Sequence, residues 1–137
     1  DVTCGLPGDP ADEQARWIEA TVVGRHAVRL CGLYLPNGNP APGPKYDYKL
    51  AWMERLRTHA KRLLSQEIPL VLAGDYNVIP QDEDAARPEA WRQDALAMPE
   101  SRAAFRRLLN LGLTDAFRAR GGGGVEQVGS AEVGEQA

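Results

Sequence analysis

The sequence is poor in the features that would place it outside the ordinary globular proteins. No window holds the roughly 18 uninterrupted apolar residues of a membrane span, so no contact with a membrane is expected. The opening DVTCGLPGDPADEQ has neither a basic n-region nor an apolar h-region, and no secretory signal is expected from it. Nor does it start with methionine, which leads to the expectation that the chain begins partway into a longer reading frame. Cysteine is scarce. Cys4 and Cys31 have no CxxC spacing and no histidine at zinc-site spacing, and His26 and His59 are read as isolated. Both thiols are therefore expected to be reduced, in a cytoplasmic protein. Basic residues are not in excess: the net charge of −3 argues against a nonspecific nucleic-acid coat, though it leaves room for a local basic face. Internal repeats are absent.

What is present is unexceptional in bulk: 137 residues, 43% hydrophobic and 26% charged, enough for one domain and not comfortably for two. The stretches WIEATVV (17–23) and AVRLCGLYLP (27–36) alternate as neighbouring half-buried strands do, and Gly24 and Arg25 suit the turn between them. LPNGNPAPGP (35–44) reads as a loop. Helical spacing follows, with Leu50, Met53, Leu56, Ala60, Leu63 and Leu64 on one face and Arg55, Arg57, Lys61 and Arg62 on a solvated remainder; Asp47 is the expected N-cap. A buried strand over 68–73, a polar loop, and a helix from an N-cap at Ser101 to about Gly112 complete the pattern. This order predicts a mixed α/β domain over residues 1–120 with crossover connections. GGGGVEQVGSAEVGEQA has no aromatic or long aliphatic anchor, so residues 121–137 are expected to be a disordered tail.

Two strand ends carry chemistry. IPLVLAGDYNVIP delivers Asp75 and Asn77 where α/β proteins place their ligands, outside the carboxyl ends of strands. Asp75 suits a divalent cation or the proton of an attacking water. Asn77 would face the same side if strand geometry persisted, and could then hold a water or a phosphate oxygen. The plainer reading is an Asx-type turn, because D-x-N is short and common. YLPNGNP likewise ends a strand in Tyr34 followed by Asn37, Gly38 and Asn39; the plainer reading there is a core tyrosine and a turn. Lys45, beside that asparagine loop, is better placed to touch a phosphate than the helix's other cations.

Taken together, LYLPNGNP…GPKYDYKLAWMERL, LVLAGDYNVIPQDED and LLNLGLTDAFR closely resemble bacterial exodeoxyribonuclease III, of the endonuclease/exonuclease/phosphatase superfamily. The resemblance covers nearly all of residues 5–119, and GLPGDPADEQARWIEA resembles the family's stretch before its tyrosine-bearing strand. It implies a four-layer α/β sandwich that hydrolyses phosphodiesters with Mg2+ or Mn2+, acting in base-excision repair on double-stranded DNA at abasic sites and 3′ ends. By position, Tyr34 matches the tyrosine that contacts the scissile phosphate. Asp75 matches the aspartate that activates water, and Asn77 the asparagine that positions water, metal and phosphate, so that Asp75 and Asn77 are the implied metal residues. Asn37 and Lys45 are the implied DNA contacts. No obligate protein partner is implied.

The family also uses an N-terminal asparagine and metal-binding glutamate and a C-terminal Asp-His pair, and this sequence has no counterpart of either. It is therefore expected to be the central portion of such a protein, an incomplete four-layer sandwich, shortened by truncation, a frameshift or an incompletely defined gene, and inactive alone. Apolar surface over Leu30 to Leu35 and Ile68 to Leu72 is expected to lie bare. Two rival expectations stand beside this one: a non-catalytic remnant that binds DNA weakly, and a superfamily phosphatase acting on a small or lipid phosphodiester.

Overall fold

A computed structural model describes residues 1–121. Their elements are β1 (Val2–Cys4), β2 (Trp17–Val23), β3 (Ala27–Tyr34), α1 (Pro44–Leu64), β4 (Leu70–Asp75), α2 (Pro99–Leu109) and α3 (Ala116–Ala119), with short 3-10 turns at Asp82–Asp84 and Pro88–Trp91. The strands lie in the order β1-β2-β3-β4. The first two pairings are antiparallel, and β3 and β4 run parallel, with α1 as the crossover that a parallel pair requires. At three residues, β1 is too short to carry a periodic signal, and the sequence reading passes over it. Because β4 covers Leu70–Asp75 and not 68–73, Asp75 is itself a strand residue.

Alternation decides what is buried. Trp17 of β2, Cys31 and Leu33 of β3, and Leu70 and Leu72 of β4 turn toward Trp52, Met53, Leu56, Ala60 and Leu63 of α1 and toward Ala104, Phe105 and Leu108 of α2. Their neighbours point the other way: Ile18 is 49% exposed, Leu30 43% and Val71 46%. The described residues thus form one sheet with helices against a single face. The expected bare apolar surface is real only at every second position, since Leu33 and Leu35 are core residues.

Several local expectations are corrected. The N-cap of α1 is Gly43, followed by Pro44 in the first turn; Asp47 lies inside that turn, where a carboxylate opposes the helix dipole favourably. α2 starts at Pro99 after Met98, so Ser101 is a buried helical residue whose hydroxyl donates to the Ala95 carbonyl at 2.6 Å. Arg55 is not on a solvated face. It donates to the carbonyls of Leu6 and Pro7 and pairs with Asp12 at 2.7 Å, fastening the loop before β2 onto α1. Nor is His59 isolated: its Nε2 lies 2.8 Å from Oε1 of Glu19, the inward carboxylate of β2, which also pairs with Arg29 at 3.3 Å. Both cysteines are free, as expected, and burial followed by the Glu19 charge pushes the Cys31 thiol up to about 11, which leaves it unreactive. The expected tail lies, from residue 122 on, outside the described residues.

Candidate active site

The site is assembled where β3 and β4 end together. In their parallel register Tyr34 stands opposite Asp75, and the Leu35 amide continues the ladder by donating to the Asp75 carbonyl at 2.9 Å. Gly74 makes this approach possible. Its φ is +146°, and a Cβ there would fall inside the contact shell of the Leu33 carbonyl oxygen and 2.8 Å from the carbon.

Beyond Asp75 the chain turns at once. The Asn77 amide donates to Asp75 Oδ1 at 2.9 Å, and Asn77 adopts φ +46°, a left-handed conformation that asparagine tolerates. This is the Asx turn of the plainer reading. Strand geometry does not persist, and the Asn77 side chain is drawn inward, its Nδ2 donating to the Leu35 carbonyl at 2.8 Å. Tyr76 between them is a core anchor, its hydroxyl donating to Leu72 at 2.6 Å and its ring edge-on to Phe105. Yet the turn leaves two oxygens over. Asp75 Oδ2 and Asn77 Oδ1 are buried and have no hydrogen-bond partner among the described residues. Buried polar atoms are nearly always paired, so these two oxygens are left to accept from a bound water or to meet a cation.

Tyr34 is 54% exposed, which removes the core-tyrosine reading, and its hydroxyl has no partner among the described residues. The Arg16 guanidinium lies 5.4 Å from its ring centroid and donates to its carbonyl at 3.1 Å, setting a cation beside the phenol. Asn37 is exposed and uses Oδ1 to accept the Asn39 amide at 3.1 Å. Lys45 is exposed in the first turn of α1, and no contact ties it to this group.

The residue that sequence reasoning missed is Lys49. It is fully buried beneath the site, and its ammonium donates to the carbonyls of Asn37 (3.1 Å), Asn77 (2.5 Å) and Ala95 (3.5 Å). Burial pulls its pKa down to about 8, with the charges of Asp94 and Asp75 acting in the opposite direction. Its signal was present: Lys49 precedes Trp52, Met53 and Leu56 at helical spacing, on the face that packs inward. Arg16 had no such signal.

Chemically, two acceptor oxygens that lack a donor suit a hard cation in kind. They are few for the purpose. The described residues hold no group of three His, Cys, Asp or Glu side chains that could bind a metal. Among them no helix is long and apolar enough to cross a membrane.

The sequence profile of the endonuclease/exonuclease/phosphatase family matches residues 2–128. The chain belongs to this family. Over 117 residues it is 34% identical to the DNA repair nuclease APEX1 of Danio rerio, covering 85% of this chain and 36% of that protein. It is 36% identical over 91 residues to an exodeoxyribonuclease of Bacillus subtilis (strain 168), covering 66% of this chain and 35% of that one. Among solved structures of similar fold is the 3′ phosphatase NExo from Neisseria bound to product DNA hairpin, with a TM-score of 0.80 and 39% identity over 87% of this chain and 45% of NExo. The chain thus spans between about a third and just under half of the length of these family members.

Proposed function

We propose that the whole protein hydrolyses DNA phosphodiesters in base-excision repair, at abasic sites and 3′ ends of duplex DNA, with Mg2+ or Mn2+. The observation that carries this reading is the pair of unpartnered buried oxygens, Asp75 Oδ2 and Asn77 Oδ1, beside the exposed Tyr34. The DNA bound by NExo and the repair role in the name of APEX1 support the choice of substrate.

Hydrolysis needs an oriented water, a sink for its proton and stabilisation of the charge that builds on phosphate. Asp75 spends Oδ1 on its turn and keeps Oδ2 to orient the water and accept its proton. The Tyr34 hydroxyl donates to a phosphate oxygen, with Arg16 adding positive charge alongside. Asn77 holds the water in place through Oδ1, which accepts one of its hydrogens. Asn37 and Lys45, both exposed, contact the DNA backbone. A divalent cation held by Asp75 and Asn77 would neutralise charge on the phosphate oxygens.

Assaying the whole protein on abasic-site duplex, 3′-phosphate duplex and phosphoinositides tests the reading; turnover of the lipid with neither DNA cut would overturn it. The 137-residue chain alone is expected to cut nothing, because Asp75 and Asn77 fill only part of the roughly six-oxygen shell of such a cation. Metal-dependent cleavage by the chain that disappears in Asp75→Ala would show this segment to be sufficient.

Tyr34→Phe is expected to slow cleavage by about 10- to 100-fold, the worth of one hydrogen bond to a charged group. Its melting temperature should stay put, since the hydroxyl supports nothing in the fold. A large melting loss with normal turnover would give the hydroxyl a structural role instead.

A further inference from the structure

We propose that Lys49 is the positioning residue of this site, its ammonium clasping three separate loops so that the turn carrying Asp75 Oδ2 and Asn77 Oδ1 is held in place. The inference rests on the function proposed above only for what those two oxygens do; the clasp itself is geometric.

The three acceptors come from different places. Asn37 lies in the loop after β3, Asn77 in the loop after β4 and Ala95 in the segment before α2. An ammonium has three N–H donors and no acceptor, so three carbonyls match its capacity. Lys49 is 0% exposed, and with its donors committed it has none to offer a phosphate. It acts through Asn77, not on the substrate.

The backbone at Asn77 is held from both sides. Asp75 Oδ1 takes its amide hydrogen, and Lys49 takes its carbonyl. With these two bonds in place the left-handed turn is fixed, and the Nδ2 bond to Leu35 then leaves Oδ1 only one direction. Without the ammonium, the Asn37 and Asn77 carbonyls lose their donor, while Ala95 keeps that of Ser101; this is a larger loss than one hydrogen bond. The neighbouring loop is shaped to admit the lysine. A Cβ at Gly38, which sits at φ +86°, would come 2.6 Å from Lys49 Cδ and 3.2 Å from Ala95 Cβ. Asn39 ties the same two loops a second time, accepting the Ala95 amide at 2.9 Å and donating to Asp94 at 3.1 Å. The clasp is thus built from both sides of the lysine stem.

NMR hydrogen exchange on the full chain, wild type against Lys49→Met, tests the role. That variant keeps the length of the stem and removes the ammonium. Exchange at the Asn77 backbone and side-chain amides should accelerate about tenfold or more, while the Cys31 and Leu56 amides keep their rates. Unchanged exchange at Asn77 would overturn the proposal. If Lys49→Met does not fold, the wild-type ammonium resonance decides. A slowly exchanging Lys49 Nζ signal with cross-relaxation to Asn77 and Ala95 supports the clasp, and exchange as fast as that of exposed Lys61 overturns it. Mn2+ added to the same samples separates this inference from the reading beneath it. Broadening at Asp75 and Asn77 should appear in the wild type, vanish in Asp75→Asn and weaken in Lys49→Met. No broadening in the wild type sinks the metal reading and leaves the exchange rates to judge Lys49; equal broadening in Lys49→Met sinks the positioning role.

Discussion

Asp75→Asn is expected to lower single-turnover cleavage of an abasic-site duplex by the whole protein ~10²–10⁴-fold, the usual cost of losing a general base. The substitution is close to isosteric. Its remaining side-chain oxygen can still accept the Asn77 amide, so the turn should survive and the defect should be chemical. DNA affinity should hardly fall. Proteins grip DNA mainly through cations on its phosphates, and this change removes a negative charge from the surroundings. Cleavage at the wild-type rate would remove Asp75 from the chemistry and return it to the role of a turn residue.

Gly74→Ala is expected to be the most damaging small substitution in the fold, costing on the order of 3 kcal/mol or more. Two penalties coincide. The backbone at φ +146° disfavours a side chain, and the added methyl would run into the Leu33 carbonyl of the partner strand. Relief means separating β3 from β4 at Leu33 and Gly74, one pair before Tyr34 and Asp75. Chemical denaturation of both proteins measures the loss, which should also lower Tm by ~10 °C. Gly24→Ala is the control: no atom lies within 4 Å of a Cβ there, and stability should be kept. Equal stability of the two variants would mean that the strand pair accommodates the methyl.

The parts of the fold that the sequence announces are those governed by local periodicity. WIEATVV matches β2 residue for residue, and the hairpin, α1 and the β4 strand follow from alternation and helical spacing. Helix starts are less legible, because Gly43 and Met98 cap without a side-chain hydrogen bond and the nearby Asp47 and Ser101 are the better-looking caps. The site divides in the same way. Asp75, Asn77 and Tyr34 could be singled out because polar residues ending apolar strands stand out. What remained hidden depends on partners far along the chain: Arg55 on Asp12, His59 on Glu19, and Lys49 on three carbonyls. A lysine at an inward helical position looks like a break in an apolar stripe until the carbonyls that meet it are known. Likewise D-x-N announces a turn, but which oxygens the turn leaves unpaired depends on Leu35, just past the end of β3.

The single covered face of the sheet has a thermal consequence. The heat capacity of unfolding grows with the apolar surface that folding takes out of water. Here Ile18, Leu30 and Val71 stay about half in water in the folded state, so they contribute only part of what full burial would give. The stability curve is accordingly expected to be shallower than it would be with that face of the described sheet covered, with a broader maximum. A layer closing over those residues would do more than add stability: it would steepen the curve and sharpen the transition.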